Sequence, residues 1–280
     1  MLDTLRSKLS IKSALGKALL GEFVGTAILL LVICCCVAQE HFSKGAMNKM
    51  ININIGVGLA VAFGIAITAK LSGGHINPAV SVMFFSFRQM TFVKFALYCV
   101  AQILGAFVGA ALTYVVYYDA LNAFDGGVRV VSGDNATIGV FATLPGAHLG
   151  ALNGLTDNII GTALFCIFIC HITDKRNSYP SWTHPMLIGL SFVMIGTAFA
   201  FNCGYPYNPA RDLGPRLFAF LIYGSAAFTQ FTSWFWVPIV GPMIGGVLGG
   251  WIYQLAVGFH VPDDNENKYE LVALKSGEEA

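Results

Sequence analysis

Long apolar segments separated by short polar stretches dominate the pattern of this chain. Each approaches the roughly 20 residues that a helix needs to cross a bilayer. Within them the apolar positions are continuous rather than alternating, which favours helices over the strands of a membrane barrel. The pattern therefore predicts an all-α membrane protein with six transmembrane helices, over residues 19–38, 51–71, 92–118, 155–171, 186–202 and 234–259.

Two shorter apolar runs each follow an Asn-Pro-Ala triplet. The triplets are Asn77-Pro78-Ala79 and Asn208-Pro209-Ala210, and they lie 131 positions apart. Asn is a favoured helix N-cap, and Pro at the first helical position loses only an N–H that has no partner there. The runs behind them, residues 80–87 and 213–223, are too short to cross a hydrocarbon core of about 30 Å. We therefore expect two re-entrant half-helices, supported by Pro78 and Pro209.

The two halves of the chain repeat each other beyond the triplets. Glu22 before a Gly-Thr pair in the first span matches Asp157 in the fourth, and glycines at four-residue spacing recur in the third and sixth spans. Three spans per half is an odd number, so the second half is inverted relative to the first. The channel-like domain, residues 19–260, then consists of halves 19–118 and 154–260 with the functional site between them at the midplane. The repeated glycines suit close helix packing.

Composition and charge narrow the function classes. The chain is 56% hydrophobic and 11% charged, with a mean hydropathy of +0.68, so its main partner is the lipid bilayer. A net charge of +1 argues against a nucleic-acid partner. The seven cysteines show no metal-binding spacing. We expect no metal, no cofactor and no enzymatic activity.

The distribution of Lys and Arg predicts the topology. Eleven of the sixteen fall on the side that holds both termini, which places the termini in the cytoplasm. Residues 1–18 are then a cytoplasmic segment, and residues 261–280 an acidic, solvated cytoplasmic tail. The long connection 119–153 is external and contains the glycosylation candidate Asn135.

The paired half-helices suggest a mechanism for selecting solutes. If Asn77 and Asn208 cap the half-helices with their side-chain oxygens, their NH₂ groups point into the central space and donate to a passing oxygen. The positive ends of the two helix dipoles repel cations there. Arg211 adds a second positive barrier and further donors in a wet cavity. Non-helical backbone before the triplets supplies carbonyl acceptors, at Gly74, His75, Ile76 and Gly204.

Several side chains near this centre have more than one interpretation. Glu22 and Asp157 could couple protons, although their symmetric placement favours anchoring of the loop backbone behind each half-helix. Asp212 in the first turn suits a dipole partner. His75 is either a gating proton site or, more simply, a packed histidine. Cys203, eight residues before Arg211, is a candidate for a thiol exposed at the pore entrance, where external mercurials would then inhibit flux.

Together these motifs resemble the aquaporins, over residues 19–260. The resemblance rests on the two triplets with Arg211, on Glu22-x-x-Gly-Thr and on the inverted halves. Within that family the chain resembles the aquaglyceroporin branch, because Asp212 directly follows the arginine, Arg216 comes four residues later and the third loop is long.

The resemblance implies a homotetramer of six spanning helices and two half-helices per subunit, with one pore in each subunit. It also places the outer constriction at Val57, Gly196, Tyr205 and Arg211. Glycerol channels usually carry an aromatic residue where Val57 stands, so this filter is expected to be wider, with Tyr205 as its aromatic wall.

We therefore predict a passive channel for water and small uncharged polyols such as glycerol, in the plasma membrane. A water-only channel is the nearest alternative, but it calls for a bulkier residue than Gly196. A secondary transporter would need ionisable groups at the midplane. A non-conducting structural membrane protein with the same fold is the third alternative.

Overall fold

The structure is a computed structural model that describes residues 1–262, apart from the side chains of residues 232 and 233. Of the acidic tail predicted over residues 261–280, all but the first two residues lie outside the described part. Within that part every regular element is helical. The α-helices are α1 (Leu2–Leu9), α2 (Ala14–Phe42), α3 (Met50–Ser72), α4 (Pro78–Ser86), α5 (Phe92–Val116), α6 (Tyr118–Asp125), α7 (Ala151–Thr173), α8 (His184–Cys203), α9 (Pro209–Tyr223), α10 (Ala226–Ser233) and α11 (Val237–Ala256).

Six helical segments are long and apolar enough to cross a membrane, and they match the six predicted spans. They are α2, α3, α5, α7, α8 and the segment Trp234–His260, which contains α11. The chain is thus a multi-pass membrane protein. The two predicted half-helices are α4 and α9, with 9 and 15 residues, and both begin at the proline of a triplet.

Helix ends explain how the chain turns back inside the membrane. The helices that precede the half-helices, α3 and α8, both end at a left-handed glycine, Gly73 with φ +96° and Gly204 with φ +70°. A residue with a Cβ adopts this conformation at a cost, whereas glycine adopts it freely. A short non-helical stretch follows, and Asn77 or Asn208 then caps the half-helix.

The inverted repeat is visible in equivalent helix crossings. In the first half α5 packs on α2, and in the second half α11 packs on α7. A Cβ at Gly109 would lie 2.5 Å from the carbonyl oxygen of Ala27, and one at Gly245 would lie 2.4 Å from that of Ile159. The repeated glycines therefore let the helix backbones touch, which is the packing role that their spacing predicts.

The long connection 119–153 is more ordered than its sequence indicates. It contains most of α6 and a 3₁₀ turn at Ile138–Val140, and Asp125 pairs with Arg129 at 2.7 Å. Sequence patterns missed α6, as well as α1 and α10, because each has only eight residues. In α6 the complete burial of Leu121 stabilises the short helix, whereas α1 has no buried residue.

Candidate functional site

A cavity of about 450 Å³ runs along the interface of the two halves. Its lining reaches from Met50, where α3 begins, to Gly73, directly after α3 ends. A helix of that length extends over about 33 Å, so the cavity follows most of the thickness of a bilayer. Both triplets contribute to its lining through Asn77 and Asn208, and Arg211 lies beside them.

The two asparagines cap their own half-helices and bind the opposite loop. Asn77 Oδ1 accepts from the N–H of Ala79 at 2.8 Å, and Asn208 Oδ1 accepts from that of Ala210 at 3.0 Å. Asn77 Nδ2 donates to the carbonyl oxygen of Tyr207 at 3.0 Å, and Asn208 Nδ2 donates to that of Ile76 at 2.9 Å. The predicted capping is present, but one hydrogen of each NH₂ group joins the halves. Each amide therefore keeps one hydrogen for a solute rather than two.

The loops before the triplets have unusual backbone conformations. Gly74 and Ile76 have φ of +67° and +44°, and Tyr205 has φ of +45°. A left-handed, β-branched Ile76 costs on the order of 1–3 kcal/mol, which the surrounding bonds must offset. Gly74, His75, Ile76 and Gly204 all border the cavity, where predicted. Non-helical backbone at this depth is tolerated beside a water-filled path.

Glu22 holds the first of these loops through its backbone. The buried carboxylate accepts from the N–H groups of His75 at 3.0 Å and Ile76 at 2.6 Å. Gln102 Nε2 donates to the same carboxylate at 2.7 Å. This geometry fits the anchoring interpretation, since both carboxylate oxygens accept hydrogen bonds from the protein.

Asp157 acts differently from its counterpart, which corrects the expectation of symmetric backbone anchors. Its oxygens accept from side chains, the hydroxyl of Tyr207 at 2.8 Å and Asn202 Nδ2 at 2.7 Å. Aspartate is one methylene shorter than glutamate, and the long Tyr207 side chain spans the remaining distance. Gly161 makes room for that ring, since a Cβ there would lie 2.1 Å from Tyr207 Cζ.

Cys203 is packed rather than open at the mouth, contrary to the expectation for its thiol. The residue borders the cavity but is only 4% exposed. Its Sγ lies 3.5 Å from Asn158 Nδ2 and 3.7 Å from Asp157 Oδ1. The thiol thus belongs to the support behind the second half-helix.

Arg211 and Asp212 point to different partners. Arg211 borders the cavity, and its Nη1 donates to the carbonyl oxygen of Phe141 at 3.2 Å. Asp212 is fully buried and pairs with Arg216 at 2.6 Å. It also accepts from the backbone N–H and the hydroxyl of Thr143. Asp212 therefore holds the long loop 119–153 as well as facing the helix dipole. Its i,i+4 spacing to Arg216 could have indicated the ion pair, but not the contact with Thr143.

Three of the four expected constriction residues border the cavity. Val57, Tyr205 and Arg211 are part of its lining. Gly196 is instead covered, because a Cβ there would lie 2.8 Å from Asn54 Oδ1 and 2.9 Å from Tyr205 Cζ. The space that Gly196 leaves is thus filled by Tyr205 and Asn54. Sequence reasoning missed Asn54, although it is one of only two asparagines, with Asn52, in the apolar span 51–71 and is a signal that can be found.

His75 has the surroundings of a packed histidine. Its Nδ1 lies 3.1 Å from the hydroxyl of Ser81, and its ring stacks on Phe84 with centroids 4.7 Å apart. Tyr98 packs edge-on against the same ring. These contacts fit the simpler of its two interpretations.

The glycosylation candidate lies in the long connection 119–153. Asn135 is exposed. The hydroxyl of Thr137, which completes the acceptor tripeptide, is buried and lies 2.8 Å from that of Tyr223. A sugar can therefore be added at Asn135 without displacing a packed side chain.

Comparisons with known proteins agree on one relationship. A family model described as "Major intrinsic protein" matches residues 9–253. Aquaporin-9 of Homo sapiens is 41% identical over 282 residues, covering 96% of each chain. Aquaglyceroporin-2 of Rhizophagus irregularis is 41% identical over 235 residues, covering 83% of this chain and 74% of its own. The solved structure of the aquaglyceroporin from Plasmodium falciparum is similar with a TM-score of 0.78 at 29% identity, covering 85% of this chain and 95% of its own.

Proposed function

The chain belongs to the major intrinsic protein family, a family of membrane channels, and we propose that it is a passive channel for water and small uncharged polyols such as glycerol. One observation carries the proposal: a single cavity follows the span and is bordered by both triplet asparagines and Arg211. Relatives named aquaporin and aquaglyceroporin support the same function.

The lining of the cavity combines two kinds of chemistry. Asn77, Asn208 and Arg211 offer N–H donors, and the loops before the triplets offer carbonyl acceptors. Much of the remaining lining is apolar and includes Val61, Ile65, Phe165, Ile188 and Phe192. A polyol has a hydroxyl edge and a carbon edge, so it can satisfy both kinds of lining at once as it passes.

Cations and protons are excluded by electrostatics. The N-termini of α4 and α9 each carry roughly half a positive charge, and Arg211 adds a full one. Among the described residues the only carboxylate that borders the cavity is Glu40, near the outer end of α2. A secondary transporter would need coupling carboxylates at the midplane, so this arrangement argues against one.

We also propose the arrangement of the protein in the cell. Both termini face the cytoplasm of the plasma membrane, because eleven of sixteen basic residues lie on their side. The family relationship supports a homotetramer with one pore per subunit. The large apolar side chains on the outer faces, for example Phe63 and Ile67 on α3, suit contact with lipid or with a neighbouring subunit. In this topology Asn135 faces outward and carries a glycan.

Flux measurements on reconstituted vesicles test the function. Light scattering is recorded after the vesicles are mixed with impermeant sugar, with glycerol, and with salt or proton gradients. The proposal predicts fast water and glycerol flux and no ion or proton leak. Water flux without glycerol flux would establish the water-only alternative, gradient-driven accumulation a transporter, and no flux above empty vesicles a structural protein.

A further inference from the structure

A buried amide lies directly behind the outer constriction. Asn54 is on α3, three residues before Val57, and only 2% of it is exposed. Burying an amide in an apolar span is unfavourable unless it is hydrogen-bonded. Its bond is to Tyr205, whose hydroxyl donates to Asn54 Oδ1 at 2.9 Å.

Glycines bring these two side chains together. α3 crosses α8 where Gly58 meets Gly189, since a Cβ at Gly189 would lie 2.4 Å from the carbonyl oxygen of Gly58. One turn before this crossing is Asn54, and two turns after it on α8 is Gly196. Because Gly196 has no side chain, the Tyr205 ring and the Asn54 amide share the space above it.

The bond determines what Tyr205 presents to a solute. Its hydroxyl is used by Asn54, so the tyrosine offers its ring to the cavity rather than a donor. The ring also packs edge-on against Phe192, with centroids 5.7 Å apart. Val57, Tyr205 and Arg211 all line the cavity, and with Val57 small this fixed ring is the aromatic wall of the expected constriction.

From this geometry we propose that Asn54 is a positioning residue that sets the solute range of the channel by holding Tyr205. The inference rests on the proposed channel function. When the bond is absent, the ring can turn and the passage widens. Larger polyols then gain more than glycerol, because glycerol is not limited by the extra width.

The test is a double-mutant cycle on selectivity. Asn54→Leu removes the acceptor at similar volume, and Tyr205→Phe removes only the hydroxyl. The readout is the permeability of erythritol, a four-carbon polyol, relative to that of glycerol in vesicles. We expect each single variant to raise this ratio about threefold or more, and the double variant to raise it no further than either single one.

Thr68→Val is the matched control. Thr68 is a fully buried polar residue on the same helix, and its hydroxyl bonds only within α3, to the carbonyl oxygen of Gly64. It should leave the ratio unchanged. If Asn54→Leu does not fold, Tyr205→Phe tests the same bond from the other partner.

Melting temperatures of the wild type, the two single variants and the double variant test the bond between Asn54 and Tyr205 independently of flux. Fold-changes in the ratio that multiply in the double variant, or an unchanged ratio in both single variants, would overturn the positioning role. A wild-type protein that conducts neither water nor glycerol overturns the proposed function and the positioning role. A non-additive change in melting temperature in the double variant would then still show that the hydrogen bond between Asn54 and Tyr205 forms.

Discussion

Arg211 is the residue on which charge selection depends. Its guanidinium donates a hydrogen bond to the backbone carbonyl of Phe141, and the residue borders the cavity. The neighbouring Arg216 is buried and neutralised by Asp212. Of the two arginines in α9, only Arg211 can therefore act on a solute in the cavity.

Replacing Arg211 with Val is expected to open the channel to small cations or protons. One of two positive barriers is lost, while the dipoles at the triplets remain. The leak should rise at least about tenfold with water flux preserved. Arg211→Lys keeps the charge and is the control, which should stay tight. A Val variant that folds, stays ion-tight and keeps its glycerol flux would contradict this role.

Val57→Trp tests the width of the filter. The indole fills space opposite Tyr205, so larger polyols should be slowed most, by about tenfold, then glycerol and finally water. Vesicle permeabilities to erythritol, glycerol and water give the ratios. Leu59→Trp, on the exposed face of the same helix, is the control. If Val57→Trp and Leu59→Trp gave the same permeability ratios, Val57 would not limit the passage of solutes.

At the residue scale, the residues that line the channel could be predicted from the sequence, but their contact partners could not. Asn77, Asn208, Arg211, Val57 and Tyr205 could be predicted because local motifs mark them. Asn54, Phe141 and Thr143 could not, since their contacts depend on how distant helices cross and where a long loop folds back. The same limitation applies to Gly196, whose free space is filled by Tyr205 and Asn54, and to Cys203, whose thiol is packed.

At the element scale, the half-helices are predictable and their supports are not. Asn caps, Pro at the first position and short apolar runs define α4 and α9 from local chemistry alone. Their supports differ because Glu22 reaches the loop backbone, whereas Asp157 works through Tyr207. A symmetric sequence repeat thus conceals an asymmetric structure.

Glu22→Gln is expected to loosen the first half-helix. The amide keeps one acceptor oxygen, but its NH₂ group faces a backbone N–H that then has no partner. Losing a charge-assisted bond in a buried site should cost about 2 kcal/mol. The melting temperature and the flux of water should fall together. Glu40 lies on the same helix, and its side chain has no hydrogen bond within the described residues. Glu40→Gln should therefore leave the melting temperature unchanged. An equal shift in both variants would contradict the anchoring role.

At the scale of the whole molecule, the pore exists because two inverted halves meet along one seam. α3 belongs to the first half and α8 to the second, and they cross backbone to backbone at Gly58 and Gly189. The cross-bonds of the two asparagines lie on the same interface. Separation of the halves would therefore widen the filter and break the link between the half-helices together.

Gly58→Ala tests this seam. A Cβ at Gly58 would lie 2.2 Å from Val193 Cγ2 and 2.6 Å from the carbonyl oxygen of Gly189. The side chain of Val193 can turn away, but the backbone of α8 cannot, so the helices must separate. Overpacking of this kind costs about 1–3 kcal/mol. We expect a lower melting temperature and a higher erythritol-to-glycerol permeability ratio.

Gly150→Ala is the matched control for that variant, because no atom lies within 4 Å of the Cβ position and the backbone there is extended. Because Gly150 is the N-cap of α7, where Ala is less favourable than Gly, the control variant should lower the melting temperature slightly and leave the permeability ratio unchanged. If Gly58→Ala lowers stability but leaves the ratio unchanged, the seam holds the halves together without setting the width of the pore. If it changes neither, α3 and α8 do not touch at this point, and the placement of Asn54 beside Tyr205 fails with it. A change in both is expected, since one crossing fixes both the join between the halves and the wall of the filter.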